Sequence, residues 1–168
     1  MAKNYRHTLL RSLSLAACLT LALGVPATAA EDSAVEETNR QIVDDAFKGW
    51  KAGTINVFDL LADDVIWTIT GFNPMVSGTY YGKEDLLSRT VEPFSERMSE
   101  GLSPTVHSVW ADGEDVIIHF DGEGRTAADD VYRNSYLWVF KMDDGVVTEV
   151  TAFLDTAAFA ALLSRDPD

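Results

Sequence analysis

Few residues in this chain combine the type and the spacing that chemistry requires. His119 and Asp121 stand two apart in residues 115–124, a run whose composition reads as a β-strand. Strand alternation puts them with Glu123 on one face and Val116, Ile118, Phe120 and Gly122 on the other. A carboxylate beside an imidazole orients the ring and raises its basicity, so the pair is a candidate general base. The other reading of the same face is a solvent-exposed or dimer-packing surface that carries an ordinary ion pair. In the next strand Tyr132, Asn134, Tyr136, Trp138 and Phe140 share a face, opposite Arg133, Ser135, Leu137 and Val139. An aromatic wall holding one amide suits an apolar ligand with an oxygen, where Tyr136 or Asn134 would donate to a developing oxyanion. Plain core packing is the alternative for the rings. Asn134 says more, because an amide on an apolar strand face needs a hydrogen-bond partner.

Trp67 and Ile69 on an earlier strand, with Phe47 and Trp50 on the first helix, are further candidates for the same wall, and Trp67 joins Tyr132, Asn134, Tyr136 and Trp138 as a predicted substrate-binding residue. Asp155 precedes Thr156-Ala-Ala and is either a helix N-cap or a third acid for catalysis. Along the sequence His107, His119 and the carboxylates form no metal-ligand triad at recognisable spacing, so no metal is expected. Gly122-Glu-Gly124 lacks the following helix of a phosphate loop, and no serine nucleophile elbow occurs, so no cofactor is expected either.

The elements that must position these residues follow from periodicity. Residues 35–51 place Val35, Ile42, Val43, Ala46, Phe47 and Trp50 on one helical stripe that ends before Gly53. Residues 64–70 read as a strand and residues 71–81 as a loop or short hairpin. A second amphipathic helix spans residues 83–98, with Pro93 a kink or an early break. Four strands follow, at 105–110, 115–124, 131–142 and 146–154. Asp112-Gly113 and Asp144-Gly145 mark two of their turns, which predicts an antiparallel meander. A short helix closes the chain at 156–163. Helices first and a curved antiparallel sheet after them make an α+β fold, a cone-shaped sheet packed on an N-terminal helix pair, with a cavity between the layers.

The composition divides at residue 30. All charge before that point is basic (Lys3, Arg6, Arg11), whereas every acidic residue lies at Glu31 or beyond. With the apolar run from Leu13 to Val25 and the small-residue exit at Ala27-Thr-Ala-Ala30, residues 1–30 read as a secretory signal peptide cleaved after about Ala30. The run is shorter than the roughly 20 residues of a membrane-spanning helix. A lipobox-like Leu15-Ala-Ala-Cys18 offers a weaker lipoprotein alternative. The expected location is the periplasm or the exterior, and the expected domain is residues 31–168. Cys18 is the only cysteine, so that domain would have none and could use neither disulfides nor thiol chemistry. The whole chain has 13 basic and 27 acidic residues, a net charge of −14, and residues 31–168 carry −17. So acidic a surface argues against nucleic acid and against anionic membranes as partners.

The chain resembles the SnoaL-like branch of the nuclear transport factor 2-like superfamily, which includes ketosteroid isomerase, limonene-epoxide hydrolase and polyketide cyclases. The resemblance rests on Ala62-Asp-Asp-Val-Ile-Trp67, Ser77-Gly-Thr-Tyr-Tyr-Gly-Lys83, Tyr132-Arg-Asn-Ser-Tyr-Leu-Trp-Val-Phe140, Asp144-Gly145 and Phe153-Leu-Asp-Thr156. It implies an α+β roll that binds a small apolar or polycyclic molecule. It also implies cofactor-independent proton transfer, isomerisation or aldol-type cyclisation if the protein is an enzyme, and a homodimer. Limonene-epoxide hydrolase-like members carry Arg-x-Asp where this chain has His119-Phe-Asp121, and an acid on the last strand where this chain has Ala152. Those departures speak against an epoxide-hydrolase mechanism, and the alternative to an enzyme is a non-catalytic ligand-binding or protein-interaction domain that forms a homodimer through the sheet.

Overall fold

The computed structural model describes residues 27–166, with side chains from Glu31 onward. Of the expected signal peptide, residues 1–26 lie outside the described residues, and Ala27 begins the first helix. That helix, α1 (Ala27–Lys51), starts upstream of the apolar stripe that predicts it and stops where Gly53 takes φ +70°. Val43, Ala46 and Phe47 point into the core. A single helical turn, Val57–Leu60, leads into β1 (Leu61–Ile69). The Asn56 side chain caps that turn by accepting the Phe58 N–H at 3.1 Å. A loop then returns as β2 (Gly78–Tyr81).

The expected helix at 83–98 is shorter and interrupted. It comprises α2 (Lys83–Leu86), a wide π-turn over Leu87–Val91, and α3 (Glu92–Ser95). Pro93 accounts for the break: it has no N–H to continue the ladder, and its ring crowds the carbonyl one turn earlier. The Glu92 N–H bonds the Leu87 carbonyl, five residues back.

The long strands are β3 (Ser103–Asp112), β4 (Asp115–Arg125), β5 (Val131–Asp143) and β6 (Val146–Leu154), followed by α4 (Thr156–Leu163). Asp144 and Gly145, at φ +47° and +80°, make the two-residue turn whose twist suits a β5–β6 hairpin. The sheet order is β2-β1-β6-β5-β4-β3. The four strands β3 to β6 form the expected antiparallel meander, β2 pairs antiparallel with β1, and β1 runs parallel to β6, so the curved sheet as a whole is mixed. Hydrophobic alternation reports which residues share a face and is blind to strand direction.

One sheet face is covered and the other is open. On the covered face Phe47 and Trp50 of α1 meet Phe120 and Trp138 edge-on or stacked, at centroid distances of 4.9 to 6.3 Å. A second cluster, built from Val76, Phe94, Tyr132, Phe159 and Leu162, seals the end of the sheet beneath α4.

Candidate functional site

The covered face encloses a cavity of about 340 Å³, within the range of small-molecule sites. Trp67, Tyr136 and Trp138 form its sheet wall, Trp50 and Phe58 one side, and the π-turn residues Leu87, Thr90 and Val91 the opposite side. A π-turn widens the helix locally, so the break at Pro93 shapes the wall directly. Among the described residues, no carboxylate, imidazole, lysine or arginine lines this space. Its polar atoms belong to neutral groups.

Two of those groups are unusual. Trp67 is only 4% exposed, held by Trp138 at 5.0 Å and Phe58 at 6.2 Å between centroids, yet its indole Nε1–H has no acceptor among the described residues. A buried donor without a partner forfeits the hydrogen bond it made to water, which costs about 1–3 kcal/mol. Tyr136 stacks on Phe120 at 4.8 Å and exchanges a 3.1 Å hydrogen bond with the Tyr132 hydroxyl. Burial pushes the Tyr136 phenol well above its ordinary value, and Tyr132 is raised by the same cause. Both remain neutral hydroxyls across the physiological range.

Asn134 and Tyr132 serve elsewhere. The Asn134 amide is 7% exposed and fully engaged: Nδ2 donates to the Tyr132 hydroxyl at 2.9 Å and to the Asp155 carbonyl at 3.0 Å, while Oδ1 accepts the Asp155 N–H at 3.0 Å. The partners it needs are therefore the nearby Tyr132 hydroxyl and the β6–α4 junction. Asp155 caps α4, its Oδ1 accepting the N–H groups of Ala157 and Ala158 at 2.9 and 3.1 Å. Its carboxylate is occupied by that cap, the other of its two sequence readings. Tyr132 packs on Phe94 at 5.1 Å in the second cluster.

His119 and Asp121 share a face as alternation predicts, but it is the open outer face, while Phe120 between them points inward to Tyr136. The sheet therefore stands between this pair and the cavity. Tyr136 is thus set apart from a His119 or Asp121 base, whereas Asp121, Asn134 and Asp155 border one open hollow at the surface. Asp121 is tied up outside: Ser135 Oγ donates to Oδ1 at 2.5 Å and His107 Nε2 contacts Oδ2 at 2.8 Å. The Ser135 and His107 hydrogen bonds hold its carboxyl below the usual range.

His107 is the residue that sequence spacing missed. Counting back from the Asp112–Asp115 pair sets Ser108 against His119 and would set His107 against Phe120, on the covered face. A one-residue bulge intervenes, Val106 pairs with Phe120, and His107 is left beside Ser108 on the outer side. The two imidazoles then lie 4.8 Å apart, and His107, His119 and Asp121 form a cluster that linear spacing does not show. Only the strand pairing, with its bulge, could reveal it.

A six-stranded curved sheet wrapped on a long helix, with an aromatic cavity between them, is the architecture of nuclear transport factor 2-like proteins. Solved structures agree on the fold. A nuclear transport factor 2-like protein of unknown function from Burkholderia pseudomallei superposes with a TM-score of 0.61 at 17% identity, over 76% of this chain and 98% of that one. A putative SnoaL-like polyketide cyclase from Jannaschia sp. gives 0.59 at 19% identity, over 79% and 96%. TerC, co-crystallised with polyporic acid, gives 0.60 at 18% identity, over 76% and 99%. Residues 43–150 match the SnoaL-like domain, and the chain belongs to that family. No curated protein matches it in sequence.

Proposed function

We propose that this protein binds a small, largely apolar, ring-bearing molecule in the covered cavity, and that an oxygen of the ligand accepts the Trp67 Nε1–H. The unpartnered indole donor carries the reading: the walls supply stacking surface, and Trp67 Nε1–H, the one buried side-chain donor without a partner among the described residues, supplies the polar anchor once the ligand shifts the ring enough to uncover it. The neutral lining favours an uncharged ligand, since an ion would lose its hydration without gaining a counter-charge. TerC's co-crystallisation with polyporic acid is consistent with small-molecule binding in this fold. The described lining of the cavity offers no carboxylate or imidazole to take a proton, which favours binding over isomerisation or cyclisation there. The setting we propose is outside the cytoplasm, after removal of residues 1–30.

A second reading concerns the outer face. Leu137 lies between His119 and Phe153, and Val139 between Ile117 and Thr151, forming an apolar row across the open sheet. Such a row suits pairing with a second copy of the chain, and sedimentation velocity would show it as a dimer.

The cavity reading is tested with 1-tetralone and tetralin, ring systems of equal size that differ by a carbonyl, titrated calorimetrically. Tetralone is expected to bind about tenfold more tightly, the ratio that one satisfied hydrogen bond of about 1.4 kcal/mol produces. Equal affinities, or no binding of either, would overturn it.

A further inference from the structure

The outer-face cluster has the chemistry of a metal site. We propose that His107, His119 and Asp121 bind a divalent transition-metal ion of borderline softness, of which zinc is the type. Each residue contributes one ligand atom, and all three atoms lie within 4.8 Å of one another. Tetrahedral zinc with bonds of about 2.0–2.1 Å needs its ligands about 3.3 Å apart, so atoms already within 4.8 Å have at most about 1.5 Å to close. Two imidazoles and a carboxylate favour zinc, copper or nickel over calcium and magnesium, which prefer all-oxygen shells.

Three further features fit such a role. All three ligands stand on paired strands, β3 and β4, so their separation is set by the sheet and not by a loop. The bulge at His107 is the device that brings the second imidazole to this side, and bulges commonly re-aim a side chain in this way. The hydrogen bond from Ser135 fixes the Asp121 oxygen that is not turned to His107, as outer-shell partners do for metal-bound carboxylates. His107 and Asp121 keep 41% and 50% of their side chains exposed, so an ion can enter and would retain positions for water. The site is independent of the cavity, which lies beneath the opposite face.

The test is a calorimetric zinc titration of the untagged full chain after EDTA stripping, at physiological ionic strength, with cobalt absorption as a report on ligand geometry. One zinc per chain is expected, with a visible tetrahedral cobalt spectrum. His107→Ala, His119→Ala and Asp121→Asn should each weaken zinc at least tenfold while leaving the circular dichroism unchanged. Ser135→Ala should weaken it by roughly 10–100-fold, as loss of an outer-shell partner does. Glu123→Gln, a neighbouring surface acid, should leave it unaltered. Absence of a stoichiometric zinc event would overturn the proposal. So would equal affinity in the His119→Ala protein, or an equal response to magnesium, which would show only the pull of an acidic surface.

Discussion

The two faces of β4 and β5 place opposite chemistries a single residue apart. Phe120 points inward, fully buried against Phe47, Tyr136 and Trp138. His119 and Asp121, its immediate neighbours, point outward to partners at the surface. Inside, aromatic surface is abundant and one indole donor lacks a partner. Outside, every titratable group of the cluster can reach water, and its hydrogen bonds compete with solvent. The contrast teaches that the residues richest in apparent catalytic potential need not face the ligand cavity. A strand's period of two separates candidates by face without saying which face is covered.

Truncating adjacent residues on β4 should separate the two faces by the widest margin. Phe120→Ala should cost about 3–5 kcal/mol in urea unfolding, because it removes a ring at the centre of the aromatic cluster. His119→Ala should stay within about 0.5 kcal/mol, as surface substitutions do. Similar losses in both would mean that the outer face is itself buried, in a dimer for example. At the next level, Asn134→Ala removes the donor and the acceptor that pin the β6–α4 junction, together with the donor to the Tyr132 hydroxyl, and leaves the Asp155 N–H without its partner. A loss of about 1–3 kcal/mol is expected from the unsatisfied group, and a preserved affinity for tetralone would confirm a structural role.

The smallest effect is in alkaline solution. Burial raises the folded pKa of Tyr136, whereas in the unfolded chain its phenol ionises near the ordinary 10.0. Stability from this group is therefore complete below pH 10.0 and falls as pH rises beyond it, because only the unfolded state then releases the proton readily. Urea midpoints measured upward from that pH should decline, and Tyr136→Phe should flatten the decline. An unchanged slope in the variant would place Tyr136 in contact with solvent.

Much of this was legible in the residues. The stripe of Val43, Ala46, Phe47 and Trp50, the two Asp-Gly turns and the Asp155 cap report local physics, and local physics survives folding intact. Trp67, Tyr136 and Trp138 were legible as an aromatic wall because large rings on one strand face must meet something. Two other features belong to pairing between strands. The parallel β1–β6 contact and the bulge at His107 depend on register, which no single segment encodes. The roles of Asn134 and of Tyr132 were hidden for the same reason, since the groups they bond or pack against, at Asp155 and on Phe94, come from other parts of the chain.

The central claim is that the Trp67 indole N–H waits for a ligand oxygen. Its most direct test is the indole region of a nitrogen-15 correlation spectrum, where the chain's four tryptophans give one signal each and Trp67→Phe identifies the relevant one. On adding 1-tetralone the Trp67 signal should move downfield and exchange more slowly with solvent, while tetralin should shift it only slightly. An unmoved Trp67 signal under saturating tetralone, with other indoles shifting, would contradict the account.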